Sequence, residues 1–558
     1  MPFLRRTLLV IGLLLELSLL GQGQVPHGRS TELRRTANGI RWVRREGPLQ
    51  PPNRMALDGL SLWNHSDQGR AYIPTSVAEA DRGASLLVGQ SLNLERFQLF
   101  SATAIGAVEP VWLDSRPAPA AGDLIVAAAA TADRLVGLSH RDDPNGGWVA
   151  EIRAYRSRAA TPDWTVILRP PAKTVISRLA VSDEGHKVIV ARSDPGNQRA
   201  RVVVLAGHTG QLLFETWLSE PDVRGLAISS NGHRIYVASS SHSLVLDGID
   251  GRVLFRTPNT GGFESHAFSS DGTLLAYGGV NTVTLLRDLA NDGSFTLWAR
   301  ETFPGTAFAT AADFSSDGRF FAWTDVHYDT YRTYDVCSYD VDGRRLLFRK
   351  TYHAAGRAQD VPRRIRFAAE RDRFIVGGWG DEAGAHAEVH IFDALDPNPV
   401  FEIDTPGSAF DVALDATGTK ATVVSKSVHA NQLGSGGEVT CEVVRELALE
   451  LQGVPRPGTA LQVTAQAPPR TEVILFLSYG ERGPAMLPGC GGLLWLDPGS
   501  AILIGARVVP AGGQSSWSIT VPTNAWSLIG TRITGQALAT DEAGHCLLSN
   551  PVFSRILP

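Results

Sequence analysis

The sequence predicts an all-β chain: seven or eight four-stranded sheets closed into a ring over residues 71–445, followed by a small β-sandwich over residues 446–558. Three observations predict it. A unit of apolar strand, Ser/Asp/Gly turn and second apolar strand occurs eight times between about residue 78 and residue 445. The clearest copies are LAVSDEGHKVIV at Leu179–Val190, LAISSNGHRIYVA at Leu226–Ala238, HAFSSDGTLLAYG at His266–Gly278 and ADFSSDGRFFAWT at Ala312–Thr324. The turns fall at Gly83, Asp133, Gly185, Gly232, Gly272, Gly318, Arg371 and Gly418, in steps of 40 to 53 residues, which is room for four short strands. Runs such as Val188-Ile189-Val190 and Phe320-Phe321-Ala322-Trp323 are apolar on both faces, as a strand covered on both sides must be. Together these features describe a β-propeller.

At the start of the chain, Arg5 and Arg6, an apolar stretch at Leu8–Leu20 and the small residues of Gly21-Gln22-Gly23 read as an export signal over residues 1–23. Thirteen residues interrupted by Glu16 are short of a bilayer span, so no transmembrane segment is expected once the signal is removed. Residues 24–70 form an N-terminal segment, within which Gly39–Arg45 or Leu60–Asn64 is expected to close the ring. The reason is that the last repeat, Phe410–Val444, supplies only three strands and leaves an edge.

Within each repeat, a second hairpin follows the first, at Val204–Trp217, Leu246–Thr257, Tyr339–Thr351 and Phe392–Asp404. After Arg445 the turn pattern stops while short strands continue, which is the pattern of a sandwich.

A composition of 43% hydrophobic and 20% charged residues with a net charge of -5 describes packed globular material and gives no reason to expect nucleic acid as a partner. Export brings four cysteines into an oxidising compartment. Cys337 and Cys441 sit in non-adjacent repeats and are expected as buried free thiols, whereas Cys490 and Cys546 share the C-terminal domain and are placed to bridge.

The turn residues carry a family resemblance. With Ser182-Asp183-Glu184-Gly185, Ser230-Asn231-Gly232, Ser270-Asp271-Gly272 and Ser316-Asp317-Gly318 opening the repeats, and His208-Thr209-Gly210, Asp250-Gly251, Asp292-Gly293 and Asp342-Gly343 in the hairpins, the chain resembles the WD40/YVTN-like and TolB-like β-propeller superfamily. The likeness spans about two thirds of the chain and implies fold more than function, since this superfold hosts scaffolds, receptors and enzymes. The Gly-His and Trp-Asp dipeptides of strict WD40 repeats are missing. The C-terminal domain resembles a module of secreted planctomycete-type bacterial proteins through Gly530, Gln536 and Leu548-Ser549-Asn550, which implies an exported bacterial protein.

Candidate chemistry is sparse. No Gly-x-Ser-x-Gly elbow is present. His386, Glu388 and His390 alternate, and on a strand they would share one face as weak candidates for a metal. Otherwise no cofactor is expected. The connections between second and third strands are long and varied, and Arg141, Asp142, Trp148, His327, Tyr328, Trp379 and His429 lie in or beside them as a candidate binding rim. The sequence therefore predicts a secreted, non-enzymatic binding or scaffold protein with a protein or polysaccharide ligand. The alternative is a propeller enzyme of lactonase, lyase or glycosidase type acting at the central channel.

Overall fold

The computed structural model describes residues 31–36, 39–44, 61–66 and, apart from loop segments, 73–556, so the stretch expected as an export signal lies outside the described residues. All the regular elements described are strands, and no helix among the described residues is long and apolar enough to cross a membrane. The chain divides into two compact units, one holding residues 61–442 and one holding residues 443–558.

In the larger unit, eight antiparallel sheets follow one another. The first consists of Ile73–Ala80, Ser85–Ser91, Leu94–Ser101 and Trp112–Pro117, and the second to fifth run through 125–168, 177–218, 225–258 and 266–302. The sixth is Ala307–Phe314, Phe320–His327, Thr333–Asp340 and Arg345–His353. The seventh is Pro362–Phe367, Arg373–Gly378, Val389–Asp393 and Phe401–Ile403. The eighth begins with Ala409–Leu414, Lys420–Lys426 and Gly437–Val443. The first strand of every sheet touches the first strand of the next, and Ala409–Leu414 touches Ile73–Ala80, so the order is cyclic. Between neighbouring sheets lie separate apolar layers. One joins Val136, Leu138 and Ile152 to Val188, Val190 and Val203, and another joins Val283 and Leu285 to Trp323 and Cys337. A cyclic stack of twisted antiparallel sheets is a β-propeller.

The repeated turn has one mechanism. In the fifth sheet the Ser269 hydroxyl accepts the Leu274 N–H at 2.9 Å and donates to Asp271 at 2.6 Å, while the same Asp271 oxygen accepts the Thr273 N–H. Ser315 with Asp317 and Ser229 with Asn231 repeat the arrangement. The bonding serine is thus the one before the Ser-Asp-Gly or Ser-Asn-Gly triplet. The glycine that follows is left-handed, with φ of 75° at Gly272 and 72° at Gly318, which a side chain would strain. In Asp340-Val341-Asp342-Gly343 the positive φ has moved to Arg344, and Asp342 pairs with Arg287 at 2.8 Å.

Ser61–His65 runs antiparallel to Gly437–Val443, with Trp63 opposite Cys441 and His65 opposite Val439, and so adds a strand to the eighth sheet. Gly39–Arg44, by contrast, pairs with Thr31–Thr36 as a hairpin. Trp63 is 1% exposed and stacks on Phe100 of the first sheet at 5.1 Å. At the centre of the same junction, Asp411 accepts the Val77 N–H at 3.1 Å, the Ser76 hydroxyl at 3.3 Å and Arg364 Nε at 3.2 Å, joining the eighth sheet to the first and the seventh. Glu79 of the first sheet keeps a little accessible surface but is packed round by protein beside Asp415 and Thr422 of the eighth. Burial, reinforced by the Asp415 charge, pushes its carboxyl up to about 8.

Cys337 and Cys441 are buried and free. In the smaller unit, Ala448–Gln452, Ala460–Gln466 and Gln514–Thr520 form one sheet. A second is built around Glu472–Tyr479 and Arg532–Thr540. Leu449, Val463 and Trp517 from the first share a buried cluster with Val473, Leu475 and Ala537 from the second. Gln536 and Ser549 pair neighbouring strands, the amide donating to the Ser549 carbonyl at 2.9 Å and the Ser549 hydroxyl accepting the Ala537 N–H at 2.8 Å. Cys490 and Cys546 are register partners in a parallel bridge. A strand spacing of about 4.8 Å lies within the Cα separation a disulfide spans.

Two outcomes are expected at the junction of first and last sheets. Replacing Trp63 by Ala should cost roughly 3–5 kcal/mol, read as a lower denaturant midpoint at unchanged slope. Because the folded-state value of Glu79 lies above its unfolded value, its protonated form favours the fold below about pH 4, and that advantage is lost as pH rises to about 8. Glu79→Gln should therefore gain stability relative to the parent chain across that window, measured by urea unfolding at successive pH values.

Candidate functional site

The sixth sheet brings polar groups to the loop end of the ring. Along Phe320–His327, alternate residues Trp323, Asp325 and His327 project to the face that packs against the fifth sheet, while Ala322 and Val326 face the seventh. Asp335 of the neighbouring strand lies directly opposite Asp325 in the ladder. The two carboxylates are 0% and 2% exposed. Arg349 Nη1 sits 2.8 Å from Asp335 Oδ2 and 3.8 Å from Asp325 Oδ2, and His327 Nε2 lies 3.5 Å from Asp335 Oδ2. Trp323 Nε1 donates to Asp325 Oδ2 at 3.2 Å, and the Thr351 hydroxyl donates to Asp335 Oδ1 at 2.6 Å. Burial first, and the Asp335 charge second, push the Asp325 carboxyl up to about 7.

On the opposite face, between the sixth and seventh sheets, His390 is wholly buried. Its Nε2 lies 3.1 Å from the Tyr334 hydroxyl and its Nδ1 lies 3.0 Å from Glu402, while Tyr352 stacks on its ring at 4.3 Å. Burial lowers its affinity for a proton more than Glu402 restores it. His386 Nε2 lies 3.0 Å from Asp360; burial opposes its protonation, but Asp360, the Ala387 carbonyl and Asp381 together outweigh burial and raise the imidazole above its ordinary value. Glu388 accepts the Thr405 N–H at 2.7 Å, and burial, with Asp404 beside it, raises its carboxyl well above the usual range.

The sequence places His386, Glu388 and His390 on one strand. In the structure the strand begins at Val389, and residues 386–388 precede it. Gly380, at a φ of 72°, runs against the Glu388 side chain, and Glu388 turns to the Thr405 backbone. The three candidates therefore engage three separate partners.

The rim residues fall into two groups. His327, Tyr328, Trp379 and His429 are all part-buried and come from the loop ends of the sixth, seventh and eighth sheets. Tyr328 packs on Phe308 at 4.7 Å and on Tyr331 at 5.7 Å. The Trp379 carbonyl accepts the Ser408 hydroxyl at 2.7 Å and lies 3.1 Å from His429 Nδ1, which holds the seventh and eighth sheets together, and Arg363 lies 6.0 Å over the Trp379 ring. Arg141 and Asp142 end the equivalent strand of the second sheet, opposite Val149 and Trp148, and their side chains are outside the described residues.

Sequence reasoning missed Asp325, Asp335, Tyr334, Asp360 and Glu402. A signal was present for the first two: Trp323-Thr324-Asp325-Val326 and Thr333-Tyr334-Asp335-Val336 each set a carboxylate where the alternation points into a packed face.

No protein-family model and no curated protein matches the chain. Among solved structures it is similar to Sqt1 of Saccharomyces cerevisiae at 12% identity, with a TM-score of 0.47, over 69% of this chain and 99% of that one. Sqt1 of Chaetomium thermophilum is similar at 13% identity and a TM-score of 0.47, over 69% and 98% of the two chains. The Dos1 propeller is similar at 13% identity and a TM-score of 0.47, over 69% and 95%.

Replacing Tyr334 by Phe removes the hydroxyl beside His390 Nε2 and leaves a buried ring nitrogen unpaired. The expected cost is about 1–3 kcal/mol of stability by chemical denaturation.

Proposed function

We propose that this chain is an exported, non-enzymatic binding protein of bacterial origin, in which the eight sheets are the blades of a propeller closed by Ser61–His65 and the C-terminal unit is a β-sandwich. Its ligand is a protein or a glycan, held at the rim formed by the loop ends of the sixth, seventh and eighth sheets. The observation that carries the reading is the grouping there of His327, Tyr328, Trp379 and His429, all part-buried, above ordered polar layers. Part-buried aromatic rings give large contact area at small cost in side-chain freedom, and Arg363 lies over the Trp379 ring. An exported chain fits this role, because surface glycans and envelope proteins are the ligands its compartment offers.

The test is saturable binding of the purified chain to a glycan array and to displayed envelope proteins. A ligand is expected whose affinity falls at least about tenfold in Tyr328→Ala and in Trp379→Ala, since an aromatic anchor at an interface contributes about 2 kcal/mol. A ligand bound equally well by both variants, or one chemically converted by the chain, would overturn the reading.

A further inference from the structure

We propose that Asp325, His327 and Asp335 bind one divalent first-row transition-metal ion, with zinc the best match, on the face of the sixth sheet that packs against the fifth. It shares His327 with the proposed rim, but it does not depend on what the rim binds.

Two carboxylates directly opposite each other across a ladder repel, and burial removes the water that would screen them. Arg349 is the cation placed against both, and it reaches only one of them closely. Two atoms facing this gap have no hydrogen-bond partner although they are shut away from solvent: Asp325 Oδ1 and His327 Nε2. Buried polar atoms are normally satisfied, and His386 Nε2 and Asp360 Oδ2 also lack hydrogen bonds, but only here, among the described residues, do two unpartnered atoms belong to a set of three converging ligand groups that includes two opposed carboxylates, which marks a place for a missing cation.

The geometry is close to coordination. One ligand atom from each of the three residues lies within 4.8 Å of the other two, and His327 Nε2 is already 3.5 Å from Asp335 Oδ2. Metal bonds of about 2.0–2.2 Å in a tetrahedral site put ligand atoms about 3.3–3.6 Å apart, so small side-chain rotations close the set.

The remaining atoms fill a second layer. Trp323 Nε1 holds Asp325 Oδ2 and the Thr351 hydroxyl holds Asp335 Oδ1, which leaves Asp325 Oδ1 and Asp335 Oδ2 for the ion. Arg349 would withdraw from Asp335 as the ion enters, and its 20% exposed side chain has a route to water. One imidazole with two carboxylates suits zinc better than calcium or magnesium, which prefer oxygen alone. Three protein ligands leave a fourth position for water or an incoming ligand.

A proton on Asp325 is the competing way to relieve the repulsion, and the experiment separates the two. The full-length chain, prepared without an affinity tag and stripped by chelator, is titrated with zinc by calorimetry and by thermal melting. One equivalent per chain and a melting temperature that climbs with zinc are expected. His327→Ala should weaken binding at least about tenfold. Asp325→Asn should lose the response to zinc while melting, metal-free, no lower than the parent, because an amide can donate to Asp335. His186→Ala removes an exposed imidazole from a turn of the third sheet and should still take up one equivalent. A parent chain without saturable zinc uptake, or a folded His327→Ala with undiminished affinity, would overturn the proposal. Should Asp325→Asn not fold, the part-exposed His327 still supplies the decisive variant.

Discussion

A sheet that is apolar on both faces cannot stand at the end of a stack. Val188–Val190 and Phe320–Trp323 show the difficulty: each strand buries side chains in two directions, so every sheet needs a neighbour on either side. The cyclic order meets that demand, because the eighth sheet lies against the first. What remains is the open edge of Gly437–Val443, and Ser61–His65 covers it with a strand drawn from the other end of the larger unit. Chain entropy opposes that closure, since 371 residues separate Ser66 from the Gly437 carbonyl to which its hydroxyl donates. Trp63, packed on Phe100, and Asp411, bonded to the first and seventh sheets, supply apolar and polar contacts that offset it.

Once the ring is closed, its sheets can bear expensive groups. Between the fifth and seventh sheets, near the loops, the apolar layers give way to Asp325, Asp335, His390, Asp360 and Glu402, each buried. Such groups weaken a core unless every member finds a partner. On the seventh-sheet side Tyr334 and Glu402 bracket His390, and His386 is held against Asp360 as an ion pair at 3.0 Å rather than by a hydrogen bond. On the fifth-sheet side, Asp325 and Asp335 stand directly opposite each other, and Asp325 Oδ1 and His327 Nε2 have no hydrogen-bond partner. The part-buried Tyr328 and Trp379 lie beside these groups, on loops whose ends are fixed by the same strands. A rigid platform with varied loops is how a propeller presents a recognition surface.

Much of this architecture was legible in the residues. The Ser-Asp-Gly turns could be read because each uses a specific hydroxyl, carboxylate and left-handed glycine, chemistry that leaves a fixed spacing in the sequence. Where the glycine is replaced, near Asp133 and Arg371, only the spacing of the neighbouring turns marks the repeat. Between two candidates for the closing strand, Gly39–Arg45 and Leu60–Asn64, sequence pattern could not choose, because both are short and each carries a Trp, and the choice depends on which one fits beside Cys441 and Phe100. The site was less legible. His386, Glu388 and His390 looked like one strand face because only their spacing was visible, whereas Gly380 and the Thr405 backbone decide where Glu388 turns. Asp325 and Asp335 meet through ladder register, which local pattern does not encode.

Hydrogen exchange at the closing strand tests the account most directly. If the ring depends on Ser61–His65 paired to Gly437–Val443, amides of both segments should exchange slowly and with one common opening free energy, alongside the inner strands of the first and eighth sheets. Rapid exchange at residues 61–65 while 437–443 remain protected would contradict it.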